Sequence, residues 1–282
     1  MKKIYTLLLS AVVLLGFTAC SEDDLGRSII DIPKEPSTEI DIWINENMTK
    51  PHNIEVLYKW IDAETDLGKN LVPPSESVVI PFLEVMKDVW VDVYVDVAGL
   101  DYFNRLAPKQ LLLIGSASYN QGGTITQGTA EAGRKIVLYE VNDFDKKDKE
   151  KLRRFFHVIH HEFAHITHQT KMYDLSTFGQ ITPSGYMSDW TNSSDKEALD
   201  AGFLTPYSRL NPDEDFVEIV ATLLTLEYDE FVDLINRANP SGQMKILTKV
   251  NFVVAYFQNE WNIDMWTFQE KMAEAIENVV NS

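Results

Sequence analysis

The stretch that most constrains the fold is Phe155-Phe156-His157-Val158-Ile159-His160-His161-Glu162-Phe163-Ala164-His165-Ile166-Thr167-His168-Gln169. The surrounding residues 146–170 have a helical period, and His161, Glu162 and His165 form the chain's one His-Glu-x-x-His pattern. In a helix, residues four apart differ by about 40° in direction and about 6 Å in height, so two imidazoles converge on one side. Ile159, Phe163, Ile166 and the Phe155-Phe156 pair give this helix an apolar face that must be covered. A buried imidazole or carboxylate with no partner is costly. The fold must therefore press another element against this helix and satisfy His161 and His165 there.

One divalent ion would satisfy both rings. Zinc held by two neutral imidazoles and a carboxylate keeps a fourth position for water, whose pKa falls to about 7 in such sites. Glu162, beside that position, would take the water's proton and later return it to the leaving group. The identity of the third ligand stays open. A longer motif, in which a glycine three residues after the second His turns the chain toward a third His, fails because His168 and Lys171 occupy those positions. His168 lies on the same face but about 10.5 Å along the axis from His161, a poor start for tetrahedral angles. His157 and His160 are expected to support the ligands or lie at the surface. Downstream, Asn211 or Asp213 would cap a helix that Pro212 starts well, placing Glu214 and Glu218 one turn apart on one face. Two acids stacked beside apolar Phe216, Val217, Ile219 and Val220 call for a cation, which fits a zinc ligand backed by a supporting acid.

Earlier segments read as strands at 54–60, 110–116 and 135–141, the last two joined by a hairpin-like excursion holding Gly122, Gly123, Gly128 and Gly133. These glycines lack the spacing of a phosphate loop. Residues 78–98 read as a helix with a solvated acidic stripe of Glu84, Asp88, Asp92 and Asp96. Strands first and helices afterwards indicate an α+β fold. With 45% apolar residues the chain is globular, and 25 Lys plus Arg against 43 Asp plus Glu, a net charge of −18, disfavours a nucleic-acid partner.

The first residues resemble a bacterial lipoprotein signal: Lys2 and Lys3, the apolar run from Ile4 to Phe17, then Thr18-Ala19-Cys20. The resemblance implies cleavage after residue 19 and a lipid anchor on Cys20. Because Cys20 is the only cysteine, no internal disulfide can form and the fold rests on its core. Ser21-Glu22-Asp23-Asp24 resembles the acidic export tag of surface lipoproteins in Bacteroidetes-type bacteria. Residues 20–50 are expected to be a linker and 51–282 a single domain.

A second helix bearing a glutamate ligand is similar to the gluzincin branch of zinc metallopeptidases. Tyr207, seven positions before Glu214, with Glu218 four after it, resembles the catalytic segment of anthrax lethal factor. That resemblance implies Glu214 as zinc ligand, Glu218 as supporting acid and Tyr207 as donor to the oxyanion; His168 is extra to the pattern. Gly128-Thr129-Ala130-Glu131-Ala132-Gly133-Arg134-Lys135-Ile136 and His160-His161-Glu162-Phe163-Ala164-His165 resemble the substrate-import-associated zinc metallohydrolase lipoproteins. The family implies an outer-membrane lipoprotein with one zinc per chain, a peptide or protein substrate and import-system partners. It also implies a zincin-like fold with a small mixed sheet, an active-site helix and a helical C-terminal part. The strand at 134–141 would be the edge strand above the metal, pairing with an extended substrate backbone, and Tyr186 and Trp190 would wall the cleft. The rival expectation is a non-catalytic, zinc-containing accessory or capture lipoprotein of an import complex; Glu162, which a purely structural zinc site would not need, favours the hydrolase.

Overall fold

Leu111-Leu112-Leu113-Ile114 and Ile136-Val137-Leu138 are unbroken apolar runs, the pattern of strands covered on both faces. In the computed structural model, which describes residues 37–120, 125–126, 128–131 and 135–282, both lie inside a four-stranded sheet. Its strands are β1 (Glu55–Leu57), β2 (Gln110–Leu113), β5 (Gly128–Glu131) and β6 (Lys135–Leu138), in the order β1-β2-β6-β5. β1, β2 and β6 run parallel, with Val56 opposite Leu111 and Leu111 opposite Ile136; β5 runs antiparallel to β6, with Ala130 opposite Ile136. Between them, β3 (Ser118–Tyr119) and β4 (Ile125–Thr126) form a separate two-stranded pair. The expected hairpin-like excursion is thus a crossover, since the strands it joins lie parallel. The expected edge strand at 134–141 is also corrected: β6 is paired on both sides, and the antiparallel edge is β5. Alternation divides the sheet's residues. Leu111, Leu113, Ile136 and Leu138 enter the main core, whereas Leu112, Ile114, Val137 and Tyr139 form a smaller cluster on the other face.

Helices make up most of the remainder. α1 (Glu39–Ile44) starts at Thr38, whose side chain accepts from Asp41 N while the Asp41 carboxylate accepts from Thr38 N. The helical path continues through a wide turn (Asn45–Thr49) and Lys50–His52, so residues 39–50 of the expected linker are helical. Ile40, Ile44 and Met48 are the reason, because they join the core. The expected leader, Cys20, the acidic tetrapeptide, Gly122, Gly123 and Gly133 lie outside the described residues. α2 (Glu76–Met86) and α3 (Asp92–Ala98) are joined by a second wide turn, and Gly99, at φ 89°, ends the run before α4 (Leu100–Leu106). As expected, Glu84, Asp88, Asp92 and Asp96 are exposed, opposite buried Phe82, Leu83, Trp90 and Tyr94.

The second half supplies α5 (Lys149–Thr170), α6 (Leu175–Gly179), α7 (Asp195–Ala201), α8 (Pro212–Thr225), α9 (Tyr228–Asn236), α10 (Pro240–Tyr256) and α11 (Met265–Asn281). Asp148 caps α5 by accepting from Lys151 N. Asn211 caps α8, accepting from Asp213 N and Glu214 N, with Pro212 at the first helical position. α8 packs along α5, α11 packs against both, and β5 and β6 lie beside α5. No described helix is long and apolar enough to cross a membrane.

Candidate metal centre

The α5–α8 pairing brings the four-residue spacing of one helix against that of the other. His161 Nε2 lies 3.1 Å from Glu214 Oε2, and His165 Nε2 lies 3.3 Å from that same oxygen. Ligand atoms on a tetrahedral zinc, with bonds of about 2.0–2.1 Å, stand roughly 3.3 Å apart. Two neutral imidazoles and a carboxylate at this separation therefore suit zinc in donor type and in spacing.

Behind the rings the two histidines are held differently. His161 Nδ1 lies 2.8 Å from Glu218 Oε1, and His157 Nε2 lies 3.0 Å from the same oxygen. The hydroxyl of Thr205 donates to Glu218 Oε2 at 2.7 Å. His157, His161 and Glu218 thus form a second group with metal-type donors. His161 belongs to both groups through different nitrogens, and when its Nε2 serves a metal its Nδ1 carries the proton that Glu218 accepts. His168, the rival ligand, does not face the Glu214 oxygen; its Nε2 lies 3.2 Å behind, at His165 Nδ1. His160 is fully buried and paired through Nδ1 with the Tyr94 hydroxyl at 3.0 Å, remote in role from the cluster.

Without an ion the cluster is strongly polarised. Burial pulls the His161 pKa down, yet the hydrogen bonds to Glu214 and Glu218 outweigh it and carry it up to about 10. Burial pushes Glu214 up, and His161 and His165 more than reverse it, to about 2. Glu218 is buried too, and His157 and His161 hold it well below the usual carboxylate range. His168 is lowered to about 4 by burial and by His165.

Glu162 is half-buried on α5, and its charge is felt by both His161 and Tyr207. Tyr207 sits in a turn (Tyr207–Arg209), its ring 5.8 Å from the His161 ring and 4.9 Å from Trp190. Burial, then the neighbouring Glu214, keeps its hydroxyl protonated far above neutral pH. Arg209 ties this turn to the preceding loop, donating through Nε to Gly185 O at 3.0 Å and through Nη1 to Ser193 Oγ at 2.7 Å.

A family model described as "Putative zinc-binding metallo-peptidase" matches residues 33–266. The chain belongs to this metallopeptidase family. A search of curated proteins returns no match. Among solved structures, one described as "a putative zinc-binding metallo-peptidase from Bacteroides caccae" is similar at 33% identity, over 90% of this chain and 98% of that one, with a TM-score of 0.77. The protein is thus a zinc-binding metallopeptidase of mixed α and β structure, mostly helical with a small, largely parallel sheet.

Two features of this metallopeptidase carry no signal that sequence reasoning could use. Thr205 reaches Glu218 from a loop, with no spacing that marks it. Tyr186, expected to wall the cleft, instead donates to Asp215 Oδ2 at 2.9 Å, and Asp215 pairs with Lys249 at 2.6 Å inside the protein. His157, expected either to support the ligands or to lie at the surface, stands one helical turn before His161 and meets Glu218.

Proposed function

We propose that the chain is a zinc-dependent peptidase of the gluzincin type on a zincin-like fold, with His161, His165 and Glu214 as ligands of one zinc. The observation that carries this reading is the shared Glu214 oxygen, 3.1 Å and 3.3 Å from the two Nε2 atoms. Zinc bound there would polarise an amide carbonyl and lower the pKa of water to about 7. Glu162 is the general base, taking a proton from the attacking water and delivering it to the departing amine. Tyr207, held protonated at the rim, donates to the developing oxyanion. Glu218, gripped by His157 and Thr205, keeps the His161 proton on Nδ1 and its lone pair forward. Among the described residues β5 stands at the edge of the sheet beside α5, where its main-chain groups would pair with an extended peptide. The lipoprotein signal read around Cys20 supports an outer-membrane anchor, and the resemblance to import-associated metallohydrolases supports a role beside a nutrient-import system.

Elemental analysis of the purified chain, with cleavage of a mixed peptide library with and without chelator, tests the reading. One zinc per chain and chelator-sensitive cleavage are expected. In Glu162→Gln zinc stays and turnover falls by about 10²–10⁴-fold. Glu214→Ala loses the metal; zinc held at wild-type affinity in that variant would return the third-ligand role to His168 or Glu218. A zinc-loaded chain that cleaves nothing would favour the accessory role.

A further inference from the structure

Metal-binding histidines usually donate their second ring N–H to a carboxylate, a carbonyl or water, which fixes the tautomer and the ring angle. His161 follows this rule through Glu218. His165 is held differently, for among the described residues the partner of its Nδ1 is another imidazole, His168 Nε2, at 3.2 Å. His168 is 2% exposed. Its ring stands edge-on against both Tyr173, 5.5 Å away, and Phe216, 5.9 Å away. Tyr173 and Phe216 are in turn stacked at 4.2 Å, and the Tyr173 hydroxyl donates to Asp213 Oδ1 at 2.8 Å. The wall that holds His168 is thereby tied to the first turn of α8, one residue before Glu214. The Nδ1 of His168 has no partner among the described residues, so Nε2 is its one polar contact.

We propose that His168 is the positioning residue of His165, accepting the His165 Nδ1 proton at Nε2 and so aiming the His165 Nε2 lone pair toward the Glu214 oxygen. The inference rests on the zinc reading of His161, His165 and Glu214. The two ligands of α5 are then steadied by different chemistry, a carboxylate behind His161 and a neutral imidazole behind His165. An imidazole behind the ring adds no further negative charge to a cluster that already holds Glu162, Glu214 and Glu218. It also explains why a histidine three residues beyond the motif is buried although it does not join the group of His161, His165 and Glu214.

The test compares zinc affinity, by competition with a chromophoric chelator, in the full chain and three variants. His168→Gln places an amide oxygen near the Nε2 position and stays within a few-fold of wild type. His168→Leu and His168→Phe keep bulk without an acceptor and lose about 10–100-fold. In the zinc-loaded wild type and the Gln variant, NMR of labelled histidines shows a protected, hydrogen-bonded Nδ1 proton on His165, which the Leu and Phe variants lack. Thermal midpoints of the metal-free variants check the fold. Undiminished affinity in the Leu or Phe variant overturns the proposal. So does a Gln variant as weak as those two, which would reduce His168 to packing. A wild-type chain that takes up no zinc sinks the metal-centre reading instead.

Discussion

The two sides of α8 carry buried acids in opposite company. Toward α5, the ring partners of Glu214 and Glu218 are histidines. On the other side Asp215, with 0% exposure, meets Lys249, with 1%, at 2.6 Å, and Lys249 also donates to Gly202 O at 2.8 Å and lies 3.6 Å from the Phe203 ring centroid. The lysine side is a closed ion pair: burial lifts Asp215 to about 6 and lowers Lys249 to about 8, so each charge is held against its desolvation. The histidine side can exchange its protons for a metal because two imidazole nitrogens and a carboxylate converge there, whereas the lysine side brings together one amine and one carboxylate. A buried acid cluster is therefore a candidate centre only where its partners can become ligands.

The sharpest way to break this comparison is to disable each side separately. Lys249→Met leaves Asp215 buried and unpaired, and unfolding free energy should drop by about 3–5 kcal/mol with zinc affinity nearly unchanged. Equal damage to both would show that the two sides act as one. Next in size, Glu218→Gln should weaken zinc by about 10–100-fold while the fold survives, as read by chelator competition and circular dichroism.

The pH response separates the sides further. His161 has its pKa raised from 6.5 to about 10, so its contribution to the metal-free fold is complete below 6.5 and disappears as pH rises to about 10. Glu214 is lowered from 4.5 to about 2, so its contribution is present above 4.5 and disappears as pH falls to about 2. Asp215 runs the other way: raised from 3.8 to about 6, it contributes most below 3.8 and loses this as pH climbs to about 6. Zinc competes with the His161 proton, so the gap in thermal midpoint between zinc-loaded and metal-free protein should widen from pH 6.5 upward. A gap that stays constant would contradict the assignment of His161. The smallest effect is expected from Thr205→Val, which removes one donor to Glu218 Oε2 and should lower zinc affinity by less than about tenfold.

Much of the site was legible because helical spacing is local. Four-residue steps put His161 with His165 and Glu214 with Glu218, and the Asn211-Pro212 start of α8 was visible as a cap. The sheet was read less well. Short apolar runs at 110–114 and 136–138 announce buried strands without stating their direction, so the parallel pairing of β2 with β6, and β5 as the edge, were missed. The helix that Thr38 caps was hidden among prolines and polar residues, where a short helix held by Ile40, Ile44 and Met48 leaves a weak periodic signal.

The sequence by itself determined that two imidazoles and a glutamate share one helix, that a second helix carries two acids in step, and that no disulfide joins them. Only the tertiary structure decided which acid meets the Nε2 atoms, that His168 stands behind His165 rather than beside it, and that Asp215 turns to Lys249. The physical reason is range. Backbone periodicity orders side chains within a helix, but the rotation and depth at which two helices dock depend on packing across the whole core.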